Sequence, residues 1–129
     1  MHNMKLLLIV ISIPILFLGN SCSIHAYRPD LSNEQLTILR SVEESVRKGM
    51  YVEDVETVLR ERKITYSKNI PEMFSGGYLD TKYGNIYGIY IDVAPAERVG
   101  CWDEVLMIIK FNSDHRVNRI IKEFVNICT

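Results

Sequence analysis

The chain has 129 residues, with 15 basic against 16 acidic side chains and a formal net charge of −1. It therefore lacks the clustered positive footprint that nucleic acid requires, and no nucleic-acid partner is expected. Its length excludes more than one sizeable core: with the apolar N-terminal stretch set aside, about a hundred residues remain, which bury somewhat over 60% of their unfolded surface.

That stretch comes first. Lys5 precedes the apolar run Leu6 to Leu18, interrupted only by Ser12 and Pro14, and small or polar residues Gly19-Asn20-Ser21 lead into Cys22. As a helix the run is roughly 20 Å long, against roughly 30 Å for a bilayer core, and Pro14 breaks its hydrogen-bond ladder. The order of a basic end, a short apolar core and small residues is that of an export signal.

Leu18-Gly19-Asn20-Ser21-Cys22 resembles the lipobox of bacterial lipoproteins, whose cysteine is acylated, typically with palmitate chains, and becomes the new N-terminus. The resemblance makes residues 1–21 a signal peptide, 22–31 a lipid-anchored tether and 32–129 the folded domain, with the lipid bilayer as a partner through Cys22. Acyl chains contribute about 0.8 kcal/mol per buried methylene, which anchors firmly. Two other outcomes stay open: ordinary cleavage at the Gly19-x-Ser21 pattern, releasing a soluble protein, and an uncleaved anchor. Ser23, where Asp is absent, implies by resemblance to Gram-negative lipoproteins the periplasmic face of the outer membrane.

The tether contains Arg28-Pro29-Asp30 and reaches at most about 30 Å. Ser32-Asn33-Glu34-Gln35 is a capping-box pattern, which starts a helix over Asn33 to Lys48 with Leu36, Leu39, Val42 and Val46 at helical spacing and Gly49 at its end. A second helix is predicted over Val52 to Arg62, with Val52, Val55, Val58 and Leu59 on one face and Glu53, Asp54 and Glu56 favoured near its N-terminus by the helix dipole. Arg60, Arg62 and Lys63 at its far end read as a solvated terminus. Ile64 to Ser67 is a candidate short strand, Asn69 to Gly77 a loop, and Tyr78 to Thr81 a segment expected to pair locally. Ile86 to Val93 is strand-like.

Val105 to Phe111 and Val117 to Val125 read as a hairpin around Asn112-Ser113-Asp114-His115. A turn centred on Asp114-His115 places Cys101 opposite Cys128, and in an oxidising compartment such a pair is expected to form a disulfide. Two separate buried thiols are the other reading. The expected class is α+β: two N-terminal helices packed on one face of a three- or four-stranded antiparallel meander.

Arg47-Lys48-Gly49-Met50-Tyr51-Val52-Glu53-Asp54-Val55-Glu56-Thr57-Val58-Leu59, together with Phe111-Asn112-Ser113-Asp114-His115-Arg116-Val117, resembles the BamE (SmpA/OmlA) family of small bacterial lipoproteins. Its domains resemble one half of the β-lactamase inhibitory protein fold. The resemblance spans about Ser32 to Val125 and implies two helices before a three-stranded sheet. Tyr51 and Arg60-Glu61-Arg62 depart from the family pattern.

No catalytic constellation is visible. The histidines His2, His25 and His115 have no zinc-ligand spacing, so neither metal nor cofactor is expected. Ser75-Gly76-Gly77 reads as a flexible loop. Asp92, Glu97, Asp103 and Glu104 flank one connection, where paired carboxylates do acid–base work in enzymes, but they read better as a solvated rim. Tyr66, Tyr78, Tyr83, Tyr87 and Tyr90 offer contact area at small entropic cost. Tyr78, Tyr83, Tyr87 and Tyr90 are the candidate partner-binding residues, on a sheet face left free by the helices, with cross-strand packing as the alternative. The expectation is a non-enzymatic protein-binding or assembly module with an envelope-protein partner; the alternative is an inhibitor or immunity protein that neutralises an exported enzyme or toxin.

Overall fold

The computed structural model describes residues 29–74 and 76–129. The expected signal, Cys22, His25 and most of the tether lie outside the described residues, as does Ser75. Along the chain come α1 (Asn33–Ser45), α2 (Val52–Glu61), a 3-10 turn (Glu72–Phe74), α3 (Tyr78–Tyr83), β1 (Gly88–Val93), β2 (Cys101–Phe111) and β3 (Val117–Cys128). The class is α+β, with helices followed by a three-stranded antiparallel sheet in the order β1-β2-β3.

The capping box forms as spelled: the Gln35 amide donates to Ser32 Oγ at 3.2 Å and the Ser32 amide to Gln35 Oε1 at 2.9 Å. α1 stops at Ser45 rather than Lys48 because Val46 turns extended and enters the core. Gly49 then takes φ 91°, a conformation open to glycine, and its amide reaches the Val117 carbonyl at 2.9 Å. α2 carries Glu53 and Asp54 in its first turn and Arg60 in its last, matching the dipole at both ends.

Two segments differ from expectation. Ile64 to Ser67 makes no strand: Ser67 exchanges both backbone hydrogen bonds with Tyr90, at 2.9 and 2.7 Å, and the Asn69 amide then turns back onto Ser67 Oγ at 3.0 Å. Tyr78 to Thr81 is helical, not paired as a strand. The cause is the i, i+4 placement of Leu79 and Tyr83, which buries both together once the Thr81 amide bonds the Gly77 carbonyl.

Alternate strand residues enter two clusters. Ile89, Ile91, Val93, Val105, Met107 and Ile109 join Leu39 and Val42 from α1, Val46 just past its end, and Val52, Val55 and Leu59 from α2. Tyr90, Leu106 and Ile108 join Phe74, Leu79 and Tyr83. The second sheet face is thus covered over part of its area, where the sequence left it free. Gly88 permits β1 to close on β2, since a Cβ there would meet the Ile109 carbonyl oxygen at 2.9 Å.

The hairpin between β2 and β3 is pinned by Asn112, whose Oδ1 accepts from the Asp114 and Arg116 amides at 3.0 and 3.1 Å. Its register sets Cys101 opposite Cys128, and the two are joined as a disulfide. Both strands run past their predicted ends to reach that bond.

Candidate functional site

β3 is an edge strand, and the direction of its backbone groups follows from its ends. At one end the Thr129 amide donates to the Gly100 carbonyl at 2.9 Å, on the β2 side. Because alternate residues of an antiparallel strand address opposite neighbours, Arg119, Ile121, Glu123, Val125 and Ile127 also address β2, whereas Ile120, Lys122, Phe124, Asn126 and Cys128 present N–H and C=O outward. Val117 lies beyond the irregularity at Lys110 and Phe111, and its outward groups are taken by Gly49 and Met50 at 2.9 and 2.8 Å. Among the described residues, no strand pairs with the remaining outward edge.

Apolar side chains flank that edge on both faces. On one side a groove of about 420 Å³ lies between Met73, Tyr78 and Leu79 and the β3 residues Phe124, Val125 and Ile127. On the other, Leu36 and Leu39 of α1 and again Phe124 border a groove of about 500 Å³. Phe124, Met73 and Tyr78 are exposed large apolar residues. An unpaired edge with an apolar groove on one face and a mixed one, which Arg40, Glu43 and Lys122 also line, on the other can accept an extended segment, the backbone supplying hydrogen bonds and the grooves side-chain pockets.

The four candidate tyrosines separate. Tyr78 is 71% exposed and belongs to this surface, while Tyr87, 50% exposed, sits by the hairpin with its ring 5.6 Å from both Phe111 and His115. Tyr83 and Tyr90 are corrected: at 5% and 2% exposure they are core residues, not contact residues. The Tyr90 hydroxyl donates to the Tyr83 and Ile86 carbonyls at 3.0 Å each, and burial pushes its pKa up. The Tyr83 hydroxyl donates to Glu123, which Lys82 also pairs at 3.0 Å. Burial alone would raise the Glu123 pKa, but these two donors outweigh it and hold the carboxyl below its usual range.

The carboxylates read as a solvated rim are also corrected in part. Glu97 lies on the surface, but Glu104 is fully buried, and Asp92 stands on the same sheet face. Trp102 Nε1 donates to Glu104 Oε1 at 2.6 Å, Arg98 Nε lies 3.2 Å from the same oxygen, and an Arg98 terminal nitrogen lies 3.3 Å from Asp92 Oδ2. Desolvation, then the hydrogen bond and negative charge of Glu104, push the Asp92 carboxyl up to about 7 against the pull of Arg98. Asp103 faces away, accepting from the Asp30 amide at 2.7 Å and the Asn126 side chain at 2.9 Å.

Sequence reasoning passed over Phe124, whose exposure follows from the edge position of β3, and Met73 of the 3-10 turn; it named Glu104 but placed it on a solvated rim, because its burial depends on Arg98 and Trp102 folding over it. Among the described residues no cluster of three or more metal-ligating side chains occurs, and no helix is long and apolar enough to cross a membrane. No protein-family model, curated protein or solved structure matches the chain.

Proposed function

We propose that the chain is a lipid-anchored envelope protein of the BamE-like type, with its two long helices layered on one sheet face. In this reading it binds a second envelope protein without catalysing a reaction. The observation that carries the binding role is the unpaired edge of β3 between the grooves that meet at Phe124. Its occupant is an extended segment of the partner, added as a further strand. The lipobox-like ending at Cys22 supports anchorage, and the tether keeps the domain within about 30 Å of the bilayer.

Two experiments test this. Mass spectrometry of the mature N-terminus should find acylated Cys22; an intact Met1 or an unmodified thiol overturns the anchor. Capture from the source cell's own envelope extract should retain a partner on the wild-type chain and lose it with Lys122→Pro. That proline removes an outward amide and leaves the β2 ladder whole, a substitution edge strands tolerate. Lys122→Ala, which loses the 2.6 Å pair with Glu43 but keeps the amide, should still capture. Equal capture by the proline variant refutes strand addition, and recovery of a single exported toxin in place of an envelope component favours the inhibitor reading.

A further inference from the structure

Asp92 lies opposite Leu106 in the β1–β2 register, and Glu104 is two residues along β2 on the same face, so the two carboxyls meet diagonally across the ladder. Each has one oxygen engaged by Arg98. The other oxygen of each, Asp92 Oδ1 and Glu104 Oε2, is buried with no hydrogen-bond donor. Two full negative charges, each with a bare buried oxygen, are strongly disfavoured in such a site, whereas one proton shared between the two carboxyls relieves both.

We infer that Asp92 and Glu104 hold a single shared proton, and that with Arg98 they form a proton-controlled latch on the connection between β1 and β2. The surroundings decide which side chain moves. Glu104 is enclosed and fixed by the Trp102 indole, with Val125 of β3 opposite it. Asp92 borders a cavity of about 300 Å³ shared with Tyr66, Ser67 and Arg98. Among the described residues, Glu104 and Arg98 are the charges that act on Asp92; of the hydroxyls bordering the cavity, that of Tyr66 is committed to Glu56 at 3.0 Å and that of Tyr90 to the Tyr83 and Ile86 carbonyls. When the proton leaves, repulsion drives Asp92 toward the cavity and pulls apart the two carboxyls that Arg98 bridges. Residues 94–100 then loosen, and the charge beside Trp102 changes. This device is independent of the strand-addition reading and belongs to the fold itself.

Trp102 is the one tryptophan of the chain, so its emission reports directly on Glu104. The full-length protein in mild detergent, titrated from about pH 5 to 9, should show an emission shift with a midpoint near 7. Asp92→Asn and Glu104→Gln should each abolish that shift while keeping the emission and far-ultraviolet circular dichroism of the acid form at about pH 5. Histidine contributions persist in both variants and are subtracted.

The linked stability has a definite sign. Folded Asp92 keeps its proton up to about 7, whereas an unfolded aspartate loses it near 3.8, so this contribution is complete below about 4, falls through the interval and is gone above about 7. The urea midpoint of the wild type should therefore fall relative to Asp92→Asn between those limits. Carboxyl carbon NMR of the wild type serves if a variant fails to fold, with one carboxyl expected to titrate near neutrality. An emission transition unchanged in both variants, or both carboxyls titrating below about 5, overturns the latch.

Discussion

Serine at both Cys101 and Cys128 lowers the free energy of unfolding by about 3.5 kcal/mol, the chain-entropy value for a closed loop of this size, in which the two cysteines are 27 residues apart. For a small domain with a total stability of roughly 5 to 15 kcal/mol, that is a large share. The loss acts on the unfolded chain, which regains the freedom of everything from the β2 start to the β3 end. In the folded state it frays the open end of the sheet, where the Thr129 amide bonds Gly100 and the Asn126 side chain bonds Asp103. Urea unfolding of the double variant, beside wild type in reductant, measures it. A double variant as stable as the oxidised wild type shows that the bond is not formed in solution. Fraying should also weaken partner capture, because Asn126 and Cys128 carry outward groups of the β3 edge.

Local chemistry made the first half of the fold legible. The capping box, the spacing of Leu39, Val42 and Val46, and that of Val52, Val55 and Leu59 each state a helix in a single window of sequence. The hairpin was legible through its turn, and counting back from Asp114-His115 gave the Cys101–Cys128 register without knowledge of the rest. α3 was hidden because six residues hold too few turns to separate helical from strand periodicity. Its position then decided the fate of Tyr83 and Tyr90, so an error over one short helix became an error over the surface. Glu104 was illegible for a related reason. An acidic residue near a strand end reads as solvated, and only the return of Arg98 from a seven-residue connection (residues 94–100), with the indole of Trp102, allows its burial.

Gln35 shows how a legible local role conceals a tertiary one. As the third residue of α1 it completes the capping box, yet it is 1% exposed, and its Nε2 donates to the Val93 carbonyl at the end of β1 and the Asp103 carbonyl of β2, both at 2.9 Å. One amide therefore closes a helix start and ties it to two strands. Gln35→Ala should cost about 2–4 kcal/mol, from half a capping box and two carbonyls left without their donor. Gln35→Glu separates the two roles, because glutamate keeps the capping acceptor for the Ser32 amide but replaces the donor with a carboxylate facing two carbonyl oxygens. At pH 7.5 it should be at least as destabilising as alanine. Burial and the facing oxygens would raise its folded-state pKa, so its stability deficit should shrink as the pH falls below about 5, where a protonated carboxyl can donate one of the lost bonds. Urea midpoints at about pH 4.5 and 7.5, each referred to wild type at the same pH, decide it. A glutamate variant matching wild type at the higher pH would mean that the two carbonyls need no donor and that Gln35 serves its helix alone.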